Sequence, residues 1–210
     1  MPRAAPEDLN PDVFINCPFD DGYWPLFRAI VFAIHAAGYR SRCALEDDTN
    51  GELRLDRLKA LIGACDRGVH DLSRVELSRK SRTPRFNMPF EFGVAVGASA
   101  FGGSRQKRKR ALVLAGTREE WHPTVSDLSG IDPRYHENNP RLVIKAVRDF
   151  LGKTPDGRML PGVTALWNAF QEFQKDLPRL AKEADHTLDE AHEYASYVTF
   201  VAAFLTARRG

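Results

Sequence analysis

The amino-acid sequence predicts an α/β fold with an open, mostly parallel β-sheet and a C-terminal helical hairpin. Up to residue 151, short apolar runs typical of buried strands alternate with helical patterns. Repeated alternation of this kind implies parallel strands, with the connecting helices on both faces of the sheet. Beyond Gly152 the strand signal ends and two long helical patterns remain. We therefore expect an α/β domain over residues 1–152 and an α-helical hairpin over residues 153–210.

The individual elements follow from apolar spacing and from residues that end regular structure. Strands are expected at residues 13–15, 42–45, 66–72 and 111–115, and helices at residues 24–37, 52–64, 88–101 and 142–151. Gly38 ends the first helix, and a linker rich in glycine and proline follows Gly152. The apolar stripes of the last two helices, which are separated near Ala184, are expected to pack on the sheet domain or on a partner.

Composition limits the class of protein. The chain has 210 residues, and its 30 basic and 28 acidic side chains leave a formal charge of +2. This balance favours neither a nucleic-acid coat protein nor an acidic tail. Three cysteines without C-x-x-C spacing argue against a disulfide framework or a zinc site. Because no segment has the ~20 apolar residues of a spanning helix or the apolar region of a secretory signal, we expect a soluble, cytoplasmic protein without a membrane partner.

The segment over residues 85–98 is the most informative about function, because it contains a single carboxylate, Glu91, among small and apolar residues. Asn87 is expected to cap the helix that follows, and Pro89 is tolerated in a first helical turn. A glutamate in that turn should stay ionised through the helix dipole and free amide groups, even when it is desolvated. Such a carboxylate suits an electron-poor reaction centre; alternatively, it merely caps its own helix.

Polar residues follow the predicted strands at their carboxyl ends, where open parallel sheets bind ligands. Asn16, Pro18 and Phe19 follow the first strand, and Asp71 ends the third. The Asp71 carboxylate can accept hydrogen bonds from ribose hydroxyl groups, or it can form an Asx turn with its own loop. His70 alternates to the opposite face of that strand, and we expect it to have a structural role.

Several other kinds of site are disfavoured. The sequence has neither the glycine-rich dinucleotide motif nor a P-loop, and Ser73 has no nucleophile-elbow context. The acidic run at residues 46–48 is more typical of a solvated loop than of a metal site, so we expect neither a metal nor a cofactor. A basic loop that includes Arg85 is expected on the crevice side, where it either contacts phosphate or is simply solvated. The second basic run, at residues 105–110, is expected to be solvated, with nucleic-acid binding as the weaker alternative.

Three segments resemble the nucleoside 2-deoxyribosyltransferase-like group, whose members are structural relatives of TIR domains. They are FINCPF at residues 14–19, CDRGVHDL at residues 65–72 and PFEFGVA at residues 89–95. The resemblance covers roughly the first 150 residues. It implies a flavodoxin-like sheet in which Glu91 attacks or stabilises C1′ of a sugar, while Asp71 and Asn87 hold the ribose or the base. It also implies an NADase-like role in bacterial antiphage defence.

These observations lead to the hypothesis of an enzyme that cleaves an N-glycosidic bond in a nucleotide, either NAD or a nucleoside monophosphate. Nicotinamide leaves as a neutral base, and the sequence offers no clear proton donor, which favours NAD-type substrates. We expect the C-terminal helices to bind a second copy of the chain or a partner protein. The alternative is a non-catalytic module that senses a nucleotide in the same crevice and recruits an effector through these helices. The predicted catalytic residues are Glu91 and Asp71, and the predicted substrate-binding residues are Asn16, Pro18, Phe19, Arg85 and Asn87.

Overall fold

A five-stranded, all-parallel β-sheet forms the centre of the computed structural model, which describes residues 10–46, 54–73, 86–118 and 131–208. The strands are β1 (Asp12–Asn16), β2 (Arg40–Cys43), β3 (Arg67–Asp71), β4 (Arg110–Ala115) and β5 (Arg134–Tyr135). Their spatial order is β2-β1-β3-β4-β5. In this doubly wound order, successive strands are added first on one side of β1 and then on the other, so the switch point lies between β1 and β3. The order confirms the predicted open α/β sheet.

Helices cover both faces of the sheet. They are α1 (Trp24–Ala36), α2 (Arg54–Ala64), α3 (Asn87–Phe101), α4 (Pro140–Leu151), α5 (Val163–Glu183), α6 (Leu188–His192) and α7 (Tyr194–Ala207). Side chains alternate along β1, so Val13 and Ile15 belong to the core on the side of α1 and α4, whereas Phe14 packs with α2. The two central strands, β1 and β3, pair with Asn16 opposite His70, so their polar ends meet at one edge of the sheet.

Helix α1 is mostly apolar and is largely covered by its neighbours. Nine of its 13 residues are buried. It packs on the sheet and α4 through one face and on α5 and α7 through the other. Phe32 of α1 lies 5.3 Å from Phe170 and 5.8 Å from Phe173, measured between ring centroids. The C-terminal helices therefore share one hydrophobic core with the sheet.

Some predicted boundaries need correction. Strand β2 begins two residues before its predicted start, and Leu45, which was predicted to lie in the strand, is exposed. The short strand β5 was not predicted, because two residues are too few to give a periodic signal. Apolar spacing in the sequence predicts that Leu55, Leu58 and Leu61 are all buried on one face of α2; Leu58 and Leu61 are buried, but Leu55 is 45% exposed.

The basic run before β4 is not simply solvated, since three of its side chains bind carbonyl groups at the end of α2. Lys109 donates to the carbonyl of Ile62 at 2.5 Å and also to that of Cys65. Arg105 and Gln106 donate to the carbonyls of Ala64 and Gly63, respectively. The last carbonyls of a helix have no partners within the helix, and its negative end favours cations. This run therefore serves largely as a cap for α2.

Within the part of the chain that the structure describes, no helix is both long enough and apolar enough to cross a membrane.

Candidate active site

A cavity of about 600 Å³ lies at the carboxyl ends of β1 and β2, between α2 and the start of α3. Phe19 contributes from the turn after β1, and Ala44 and Leu45 contribute from the turn after β2. The cavity lies beside the switch point of the sheet, where doubly wound folds bind ligands. The described lining residues with functional groups or aromatic rings are Phe19, Arg54, Arg57, Asn87, Phe90 and Glu91.

Glu91 lies further inside its helix than the sequence suggested. Helix α3 begins at Asn87, and the preceding residue, Phe86, makes no side-chain capping bond. Asn87 is therefore the first helical residue rather than the cap, and Glu91 is the fifth. The unpaired amide groups and the favourable dipole are confined to the first turn of a helix. Glu91 thus lacks most of the local stabilisation that was predicted for its charge.

Burial consequently raises the pKa of Glu91 to about 7, and the positive charge of Arg54 opposes this rise only in part. The expectation that Glu91 stays fully ionised is wrong, because removal from water outweighs the helix dipole at the fifth position. Near neutral pH, both the protonated and the ionised form are populated. Such a group can stabilise a developing positive charge or transfer a proton at the pH of a cell.

Asp71 has no exposed surface and does not line this cavity. Its carboxylate accepts a hydrogen bond from the Tyr23 hydroxyl and one from the Ser73 N–H at 2.8 Å, and His136 Nε2 lies 3.1 Å from Oδ2. Burial alone would raise the pKa of Asp71, but the contacts with His136, Ser73 and Tyr23 outweigh it and hold that pKa below its ordinary value. The Ser73 contact is the Asx turn considered above.

Asn16 connects the end of β1 to the start of α3. Its side-chain amide donates to the carbonyl of Met88 at 2.8 Å and lies 3.3 Å from His70 Nδ1. Burial lowers the pKa of His70 to about 3, so this imidazole stays neutral and accepts that contact. Asn16 is almost fully buried, so in this structure it positions the helix that carries Glu91.

The structure brings together only some of the predicted site residues. Phe19, Asn87 and Glu91 share the cavity, whereas Asn16, Pro18 and Asp71 are buried in the protein. Arg85 lies outside the described residues, as do the last two residues of the acidic run at 46–48. The first of that run, Glu46, accepts hydrogen bonds from the Arg42 side chain and from the Cys43 N–H. No cluster of three metal-binding side chains occurs within the described ranges.

Sequence reasoning missed Arg54, Arg57 and His136. A signal for the first two existed, because residues three apart on an amphipathic helix lie on one face. His136 had none, since it follows a two-residue strand and meets Asp71 only through the sheet order.

The fold and the cavity together define a doubly wound α/β protein with an acidic, basic and aromatic crevice beside the switch point of its sheet. Comparison with protein families, with curated proteins and with solved structures finds no match to this chain.

Proposed function

We propose that the cavity binds a nucleotide and that Glu91 promotes cleavage of the N-glycosidic bond between its base and its sugar. The observation that carries this proposal is a half-buried glutamate with a pKa near 7 on the wall of a cavity that also contains cationic and aromatic side chains. An N-glycosidic bond breaks through an oxocarbenium-like state, and a carboxylate next to C1′ stabilises or traps that state.

The other lining residues suit the remaining parts of a nucleotide. The rings of Phe19 and Phe90 offer surfaces on which a base can stack, and the Phe90 side chain is 54% exposed. Asn87 lies one helical turn before Glu91, so its amide can donate to and accept from a sugar hydroxyl beside the carboxylate. The cavity volume of about 600 Å³ falls within the usual range for small-molecule sites.

The ionised form of Glu91 is the reactive one in this proposal. Only the carboxylate can attack C1′ or stabilise its positive charge, so the reaction requires loss of the proton with the pKa near 7. Nicotinamide leaves as a neutral base without needing a proton donor, so an NAD-type substrate fits a site with one carboxylate. We therefore expect kcat/KM to rise with pH and to level off above about pH 7, since this parameter reports the pKa of the free enzyme.

The test is to incubate the purified protein with NAD and with nucleoside monophosphates and to measure the released base by chromatography. Glu91→Gln keeps the shape of the side chain but cannot become an anion, and we expect it to lose about a hundredfold or more in kcat. The matched control is Glu172→Gln, the same change at an exposed site on α5, which should leave the rate unaltered.

Equal release of base by the parent protein and Glu91→Gln would rule out the proposed role of Glu91. Saturable binding of NAD with no release by the parent protein would refute cleavage and support the alternative, a nucleotide-sensing module.

A further inference from the structure

Two arginines of α2 line the same cavity as Glu91. Arg54 and Arg57 are three residues apart, so they lie on one face of the helix. Within the described residues, neither guanidinium group forms a hydrogen bond or an ion pair, and Arg57 Nη2 is buried without a partner. Other basic residues nearby are paired: Lys59 of α2 lies 2.5 Å from Asp56, and Arg42 of β2 contacts both Asp12 and Glu46.

An unpaired guanidinium nitrogen in a buried position is costly, because it has lost water without gaining an acceptor. Glu91 does not supply the acceptor: within the described residues no hydrogen bond or ion pair joins its carboxyl group to either arginine, although the charge of Arg54 lowers its pKa. The covered Nη2 atom itself is out of reach from the cavity, but an anionic ligand there would give an acceptor to the exposed Arg54 and to the accessible part of Arg57. The planar fork of an arginine matches the oxygen atoms of a phosphate, which can accept two hydrogen bonds from one side chain.

We propose that Arg54 and Arg57 form a phosphate-binding subsite, so that the ligand of this cavity is a nucleotide with a 5′-phosphate or a pyrophosphate rather than a free nucleoside. This phosphate subsite rests on the proposed function in one respect, namely that the group beside Glu91 is the sugar of the nucleotide. It differs from the sequence-based hypothesis, which gave phosphate binding to the basic loop that contains Arg85. Here the phosphate lies against α2, and the sugar lies between α2 and the first turns of α3.

The test measures binding in the Glu91→Gln background, where no substrate is expected to be consumed. Calorimetry compares AMP with adenosine, which lacks the phosphate, for this protein and after the further changes Arg54→Gln and Arg57→Gln. We expect AMP to bind the Glu91→Gln protein about tenfold or more tightly than adenosine does, and each arginine change to weaken AMP binding about tenfold. Adenosine binding should stay the same. Lys59→Gln is the matched control, since it removes one charge from α2 outside the cavity.

Equal affinities for AMP and adenosine would overturn the subsite, and so would arginine variants that bind AMP as the Glu91→Gln protein does. Competition between inorganic pyrophosphate and AMP provides a second measurement. This competition should weaken in both arginine variants. Circular dichroism identifies any variant that fails to fold, and the other single variant then decides the test. Because binding is measured without turnover, failure of the cleavage reaction in the parent protein leaves this result intact. Arginine-dependent AMP binding without any base release would support the subsite and refute the chemistry.

Discussion

Replacing Glu91 by glutamine is expected to stabilise the folded protein at pH 8 and to have a much smaller effect at pH 5. Burial raises the pKa of this carboxyl group from 4.5 to about 7. Between these two values the folded protein holds a proton that the unfolded chain has released. The free energy of unfolding therefore falls as the pH rises through this window. Glutamine does not titrate and avoids this loss.

The magnitude follows from the size of the pKa change. Each unit corresponds to 1.36 kcal/mol, so a rise from 4.5 to about 7 sets an upper limit of about 3 kcal/mol. Glu91 is only half-buried, and water at its exposed surface screens the charge. We therefore expect the stability advantage of Glu91→Gln to grow by about 1–2 kcal/mol between pH 5 and pH 8.

Urea unfolding at several pH values between 5 and 8, followed by tryptophan fluorescence, measures this difference. Each pH value compares the variant with the parent protein, so the titration of all other groups cancels. Glu172→Gln, on the exposed face of α5, should show no such trend. An advantage that stays constant or shrinks as the pH rises would refute the reasoning, because it would mean that the Glu91 carboxyl group is not desolvated. The outcome does not depend on what the cavity binds.

Two further predictions concern buried contacts. Tyr23→Phe removes a hydroxyl donor from the buried Asp71 carboxylate, and we expect it to lower the free energy of unfolding by about 1.5–3 kcal/mol at neutral pH, measured by urea denaturation; an unchanged midpoint would contradict this role. Phe173→Ala opens a cavity where α5 packs on Phe32 of α1, and we expect a loss of about 3–5 kcal/mol in one cooperative transition. If calorimetry detected separate unfolding of the C-terminal helices, this would show that they do not share the core of the sheet.

Local patterns in the chain were enough to predict the open parallel sheet, most of its strands and helices, and the end of the sheet at which the cavity lies. This is so because buried strands and amphipathic helices depend on the spacing of nearby apolar residues. The placement of Phe19 and Glu91 at the carboxyl end of the sheet followed from chain order alone, since each comes shortly after a parallel strand.

Other properties depend on groups that are far apart in the chain. The pKa of Glu91 depends on where α3 begins and on how much of the carboxyl group its neighbours remove from water. Asp71 lies buried and away from the cavity because Tyr23 and His136, from two distant segments, converge on it. Spacing along the chain predicts which faces are apolar, but partners, solvent access and charge energies are set only when the segments pack together.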